Sequence, residues 1–195
     1  MSEPDLVVAL APVLDVLRRL GVRHYVGGSI ASSAHGVPRA SIDADVVAEL
    51  LPAHAAPLAA ALRGAYYVPE QHVSEAIDRR TSFNVIHLDT MVKVDVFVSR
   101  DRSFDRRALE RVRSASLEGG VAIPVSSPED TVLAKLEWFR RGGEVSERQW
   151  TDVVGLLRVG GALDIGYLRA GARDLGVTDL LLRAVDEAAE APHGA

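Results

Sequence analysis

Two adjacent glycines and two carboxylates, separated by a segment of small and polar residues, constrain this chain more than any other feature. The first stretch reads Tyr25-Val26-Gly27-Gly28-Ser29-Ile30 and the second Ser41-Ile42-Asp43-Ala44-Asp45-Val46. The spacing predicts a strand that ends in the glycines and turns tightly. Glycine reaches backbone conformations closed to other residues and lets the main chain come close to a ligand. Ser29 is a good helix N-cap, and the free N–H groups of a helix start suit a phosphate. Asp43 and Asp45 are two apart, so on a strand both project from one face, while Ile42, Ala44 and Val46 make the other face apolar. Two such acids repel each other unless a cation lies between them. Oxygen ligands with phosphate as co-ligand suit Mg²⁺.

A third carboxylate stands on the strongest strand pattern of the chain, Val92-Lys93-Val94-Asp95-Val96-Phe97-Val98. The four valines share one face, and Lys93, Asp95 and Phe97 share the opposite one. Alone, Asp95 reads equally well as an edge-strand acid paired with Lys93. Taken with the Gly-Gly-Ser turn and the Asp-x-Asp pair in this order, it reads as the third wall of a metal-binding cleft.

This arrangement resembles the nucleotidyltransferase fold superfamily, which contains kanamycin nucleotidyltransferase, the minimal nucleotidyltransferases and the DNA polymerase β-like enzymes. The family pattern is a hydrophobic residue, Gly, then Gly or Ser, a spacer, and Asp-x-Asp or Asp-x-Glu between hydrophobic residues. Gly28-Ser29 and Asp43-Ala44-Asp45 match it, and Asp95 matches the family's later carboxylate. The resemblance implies an α/β (α+β) fold with a mixed β-sheet flanked by helices and a helical C-terminal part. It also implies Mg²⁺-dependent transfer of a nucleoside monophosphate from a nucleoside triphosphate to an acceptor hydroxyl. Asp43, Asp45 and Asp95 would be catalytic and hold the metal. Gly27, Gly28 and Ser29 would bind the nucleotide, helped by Arg39 between the two motifs and by Lys135 downstream. Lys135, Arg148 and Asp152 more loosely resemble residues of AbiEii-type toxins. That likeness makes RNA a candidate acceptor and a cognate antitoxin a candidate partner.

The rest of the chain divides at about residue 125. Residues 1–125 are expected to form the α/β core, and 126–195 a helical region packed on it. Leu6, Leu10, Val13, Leu14, Leu17 and Leu20 recur at helical spacing, with Pro12 expected to kink or divide that helix. Helices are expected over 53–63 and near 72–80, and strands over 66–68 and 82–88, the latter joined to the Asp95 strand by a short turn at Asp89-Thr90. Ser127, Pro128 and Glu129 open a further helix as cap, first helical residue and first-turn acid. Lys135 lies beside that helix's apolar face, where it either snorkels to solvent or holds the triphosphate. Arg148 and Asp152, four apart on the next helix, read as an exposed ion pair, or else as a second polar wall of the cleft.

Residues 100–113 carry six arginines and three acids. A charge run of this kind is usually a solvated face, though RNA would also find positive charge there. The overall charge of −5 argues against a nucleic-acid-binding footprint over the whole surface. The chain contains no cysteine, which excludes disulfides, thiol nucleophiles and cysteine-based zinc sites. No apolar run reaches the ~18 residues of a spanning helix, so no membrane partner is expected and the cytoplasm is the expected location. Two other functions share these residues. One is a non-catalytic nucleotide- or partner-binding module of a toxin–antitoxin system. The other is a phosphohydrolase using the same carboxylates with water as acceptor.

Overall fold

The computed structural model describes residues 3–38, 43–159 and 161–190. The chain divides into two compact units, Met1–Ile30 with Ala40–Ser126, and Ala31–Arg39 with Ser127–Ala195.

The first unit is built on a mixed seven-stranded sheet in the order β3-β4-β5-β2-β1-β7-β6. Its strands are β1 (His24–Val26), β2 (Ala44–Ala48), β3 (Tyr66–Tyr67), β4 (Ser82–His87), β5 (Lys93–Val98), β6 (Arg113–Ser116) and β7 (Ala122–Val125). β2 runs parallel to β5 and β1 parallel to β7, while the other neighbours are antiparallel. Alternation decides which face is covered. Ala44, Val46 and Ala48 on β2, Val94, Val96 and Val98 on β5, and Phe83 and Val85 on β4 are all buried. Helix α1 (Glu3–Arg19) packs against β2 and β5, and α4 (Glu70–Arg79) packs against β4. Leu10, Leu14 and Leu17 of α1 and Leu58 of α3 (Ala55–Leu62) are among the largest fully buried side chains. The Tyr66 hydroxyl donates to the Ala9 carbonyl at 2.8 Å, and burial pushes its pKa up to about 12.

The other face of the sheet carries a separate apolar cluster. There α5 (Ser103–Glu110) brings Ala108 and Leu109 onto Tyr25, with Val47 and Val112 against the same cluster. The neighbouring positions of this face, Asp45, Lys93 and Asp95, are only half-buried.

Two local details go beyond the sequence pattern. Pro12, expected to kink or divide the first helix, lies inside α1 and does not divide it. It occupies the exposed side of the helix, as does Val8 four residues earlier, so the carbonyl left without its partner faces water. Arg113, the last arginine of the charged run, opens the edge strand β6, which pairs with β7.

The second unit is helical: α6 (Pro128–Arg141), α7 (Glu147–Val159), α8 (Ile165–Leu175) and α9 (Thr178–Glu190). Ser127 caps α6 as its sequence predicts, accepting from the Asp130 N–H at 3.1 Å, with Pro128 in the first turn. Gly171 of α8 lets Leu133 of α6 approach closely, since a Cβ there would meet the leucine methyls. Phe139 and Trp150 pack with ring centroids 5.2 Å apart, and the Trp150 indole N–H donates to Glu187 at 2.7 Å. Residues from before β2 belong to this unit as well: a Cβ on Gly155 of α7 would lie 3.2 Å from Val37. Among the described residues no helix is long and apolar enough to cross a membrane.

Candidate functional site: a carboxylate cluster at a glycine turn

The site begins where β1 stops. Val26 is fully buried, and its carbonyl accepts from the Ser126 N–H at 3.1 Å, while the Gly27 N–H donates to the Asp45 carbonyl at 2.8 Å. These two bonds hold the glycine turn in the plane of the sheet. Gly28 follows with φ +58°, a conformation that favours glycine. It is needed for space too, because a Cβ on Gly28 would collide with the Asp45 carboxylate. The chain then enters α2 (Gly28–Ala34), so Ser29 falls in the first turn of the helix rather than ahead of it as a cap. Ser29 is buried, and Ser32 is fully buried.

Asp45 and Asp95 are register partners on the parallel pair β2–β5. Equivalent positions on adjacent strands share a face, so both carboxylates rise from the same side of the sheet. Asp43 precedes β2 by one residue and is exposed. On the far side of β5, Asn84 of β4 is the register partner of Asp95. Val26, Asp45 and Asp95 thus lie on three neighbouring strands, β1, β2 and β5, with Asp43 at the head of the middle one.

A cation already lies in this cluster. The Lys93 ammonium is 2.8 Å from Asp95 Oδ2 and 3.9 Å from Asp43 Oδ1. Its hydrogen bond to Asp95, together with the charges of Asp95, Asp43 and Asp45, raises its pKa above the usual lysine value. Among the described residues no three His, Cys, Asp or Glu side chains are arranged to hold a metal ion. The donor set nonetheless fits Mg²⁺ in chemistry. It offers only hard carboxylate oxygens, and the ammonium shows that the cluster draws positive charge.

The other predicted residues are placed as follows. Arg39, like Ile42, lies outside the described residues. Lys135 is in the helical unit and only 5% exposed, so it does not snorkel. Its ammonium donates to Asp152 Oδ2 at 2.7 Å and lies 3.5 Å from Gln149 Oε1. Asp152 is correspondingly 4% exposed. The expected exposed pair with Arg148 is therefore corrected, because Asp152 faces into the α6–α7 contact and ties the two helices together. In the arginine run, Arg102 pairs with Asp105 and Arg106 with Asp101, both at 2.9 Å. Much of that charge is neutralised locally.

Sequence reasoning passed over Asn84 and saw Lys93 only as an ordinary partner of Asp95. The hairpin turn would have located Asn84: once Ile86 is set opposite Lys93, counting back two residues puts Asn84 opposite Asp95.

No protein-family model matches the chain, and no curated protein matches it in sequence. Solved structures do match it in fold. One is ANT(2'')-Ia in complex with adenylyl-2''-tobramycin, at 15% identity and a TM-score of 0.58, covering 86% of this chain and 97% of that one. Another is the lincosamide antibiotic adenylyltransferase LnuA with lincomycin bound, at 14% identity and a TM-score of 0.51, covering 82% and 98%. A third is an antigenic nucleotidyltransferase-like protein from Paracoccidioides brasiliensis, at 16% identity and a TM-score of 0.50, covering 94% and 92%. The likeness is one of fold, and the fold is that of the nucleotidyltransferases.

Proposed function

We propose that this protein transfers a nucleoside monophosphate from a nucleoside triphosphate to an acceptor hydroxyl. The observation that carries the reading is the in-register pair Asp45–Asp95 beside a turn whose Gly28 has no room for a side chain. The overall reaction forms a bond from the acceptor oxygen to the α-phosphorus and breaks the bond to pyrophosphate. The hydroxyl proton leaves to a carboxylate of the cluster or to solvent.

In this reading Asp43, Asp45 and Asp95 hold Mg²⁺, which when bound neutralises triphosphate charge and makes the acceptor hydroxyl more acidic. The backbone of Gly27, Gly28 and Ser29 receives the phosphate oxygens of the leaving group. Arg39 and Lys135 complete the proposed nucleotide-binding set. For Lys135 that role requires the ammonium to serve phosphate and Asp152 together, or to exchange one for the other.

Two acceptors are consistent with the cluster. Of the fold neighbours, ANT(2'')-Ia is an antibiotic-resistance factor seen with adenylyl-2''-tobramycin and LnuA is a lincosamide antibiotic adenylyltransferase, which makes a small hydroxylated molecule the nearer model. RNA, as for an AbiEii-type toxin held by an antitoxin, has the arginine run as its motive. The pairing of Arg102 and Arg106 with neighbouring aspartates weakens that motive. We therefore favour the small-molecule acceptor, and a cytoplasmic location, where nucleoside triphosphates are abundant.

The test is incubation with each α-labelled nucleoside triphosphate, Mg²⁺ and either total RNA or a panel of hydroxylated small molecules, including aminoglycosides and lincosamides. Label on a small molecule supports the reading, and label on RNA moves the acceptor while keeping the chemistry. Release of free nucleotide alone would make the protein a phosphohydrolase. Tight Mg²⁺-dependent binding with no product under any condition would make it a binding module.

A further inference from the structure

The carboxylate cluster contains its own counter-ion, and that counter-ion belongs to the chain. Lys93 and Asp95 are two apart on β5, so both side chains rise from the same floor, and the ammonium reaches Asp95 at 2.8 Å. It also lies 3.9 Å from Asp43, which belongs to the neighbouring strand's approach. One ammonium thus bridges carboxylates from the two segments that a bound metal would have to join. Its side chain is 38% exposed, so it can swing away without opening the core. Its partner Asp95 is more enclosed, at 22%.

We propose that Lys93 is the resident cation of this cluster and competes with a divalent metal for Asp95 and Asp43. The inference rests on the nucleotidyl-transfer reading, and it adds a positioning residue that the reading does not need. With Lys93 in place Asp95 is already satisfied and the acidic floor is part-neutralised. The protein without nucleotide then keeps its carboxylates together rather than splayed by repulsion. A metal arriving alone meets both an occupied carboxylate and a repelling ammonium. A metal arriving with a triphosphate brings oxygens to which Lys93 can transfer, so the exchange of cations is easiest when nucleotide comes too. Weak binding of free metal and strong binding of metal with nucleotide is the expected behaviour.

The test is Mn²⁺ binding to the whole 195-residue chain without nucleotide, followed by loss of the free-ion paramagnetic resonance signal. Lys93→Met removes the charge and keeps most of the side-chain volume. Lys93→Arg keeps the charge, and Lys93→Gln serves as a second neutral variant should the Met form fail to fold. A unit charge this close to a divalent ion changes affinity by about tenfold even in a well-screened setting. Lys93→Met or Lys93→Gln should therefore bind Mn²⁺ roughly tenfold more tightly than the parent, with Lys93→Arg close to the parent. A merely structural Lys93–Asp95 pair would give no such gain. Equal or weaker Mn²⁺ binding by folded neutral variants overturns the proposal and leaves nucleotidyl transfer standing. No Mn²⁺ binding by parent or variants overturns it too, and Mn²⁺ binding repeated with a nucleoside triphosphate present then decides separately whether the metal of the proposed function stands.

Discussion

The carboxylate of Asp45 lies directly over Gly28, in the space that a side chain would otherwise fill. The same glycine holds φ at +58°. One residue thereby sets both the turn after β1 and the seat of a carboxylate on β2.

Gly28→Ala should therefore fail on two counts. The left-handed conformation costs a non-glycine residue about 1–2 kcal/mol, and the new methyl must displace Asp45. We expect a loss of about 2–3 kcal/mol in urea denaturation, since steric displacement adds to the backbone cost. Mg²⁺-dependent nucleotide binding should be lost by calorimetry. Gly21→Ala is the control: φ there is +68° with nothing within 4 Å of the added Cβ, so only stability should suffer.

Asp45→Asn keeps the size of the side chain and removes its charge. Because it relieves repulsion on the acidic floor, the melting temperature should hold or rise. Metal-dependent triphosphate binding should fall at least tenfold, and chelator should bring the parent down to the same level. A variant that binds nucleotide as tightly as the parent with or without chelator would remove Asp45 from the site.

Lys135→Ala should destabilise the helical unit by about 3–5 kcal/mol, because it leaves the buried Asp152 carboxylate without its cation. Lys135→Met combined with Asp152→Leu should recover most of that loss, since an apolar pair can replace a buried ion pair at little cost. Urea denaturation of the three variants checks this. Nucleotide affinity of the stable double variant separates a nucleotide-binding lysine from one that only ties α6 to α7.

His24 should make the protein acid-labile below about pH 6.5, the ordinary histidine value. Burial lowers its pKa, outweighing the bond between Nδ1 and the Val22 carbonyl at 2.7 Å. That bond fixes the proton on Nδ1, and the buried Nε2 has no partner among the described residues to receive a second one. Below pH 6.5 the unfolded chain takes up a proton that the folded one resists, so stability falls as pH falls through that window. Melting temperatures of the parent and His24→Gln, compared from pH 8 to 5, should converge at the acid end.

The strands that carry the candidate site were legible where chemistry and backbone geometry coincide. Gly27-Gly28 before Ser29, Asp43 and Asp45 two apart, and the valine alternation around Asp95 each name both a residue type and a direction. Three such local statements sufficed to put β1, β2 and β5 side by side. The fate of Asp152 was not legible. A helix with Trp150, Val153, Val154 and Leu157 on one side gives no sign that a second helix will bury the opposite side. The edge strand β6 was hidden for a similar reason. Arg113-Ser114-Ala115-Ser116 has no apolar alternation, and only its ladder to β7 makes it a strand. Lys93 was seen but its place was not, since pairing along one strand is visible in sequence and a reach across to Asp43 is not.

The helical unit takes in Ala31–Arg39, a strip that the chain lays down before it begins β2. Val37 on that strip fits over Gly155 of α7, and Gly36 sits against Val159. This half of the protein is thus not a cassette that can be cut away at Ser126. Truncation there would leave Val37 without its seat on α7, and α7 without its cover. Exchange of modules between related proteins at that seam would have to carry the nine-residue strip along with the C-terminal helices.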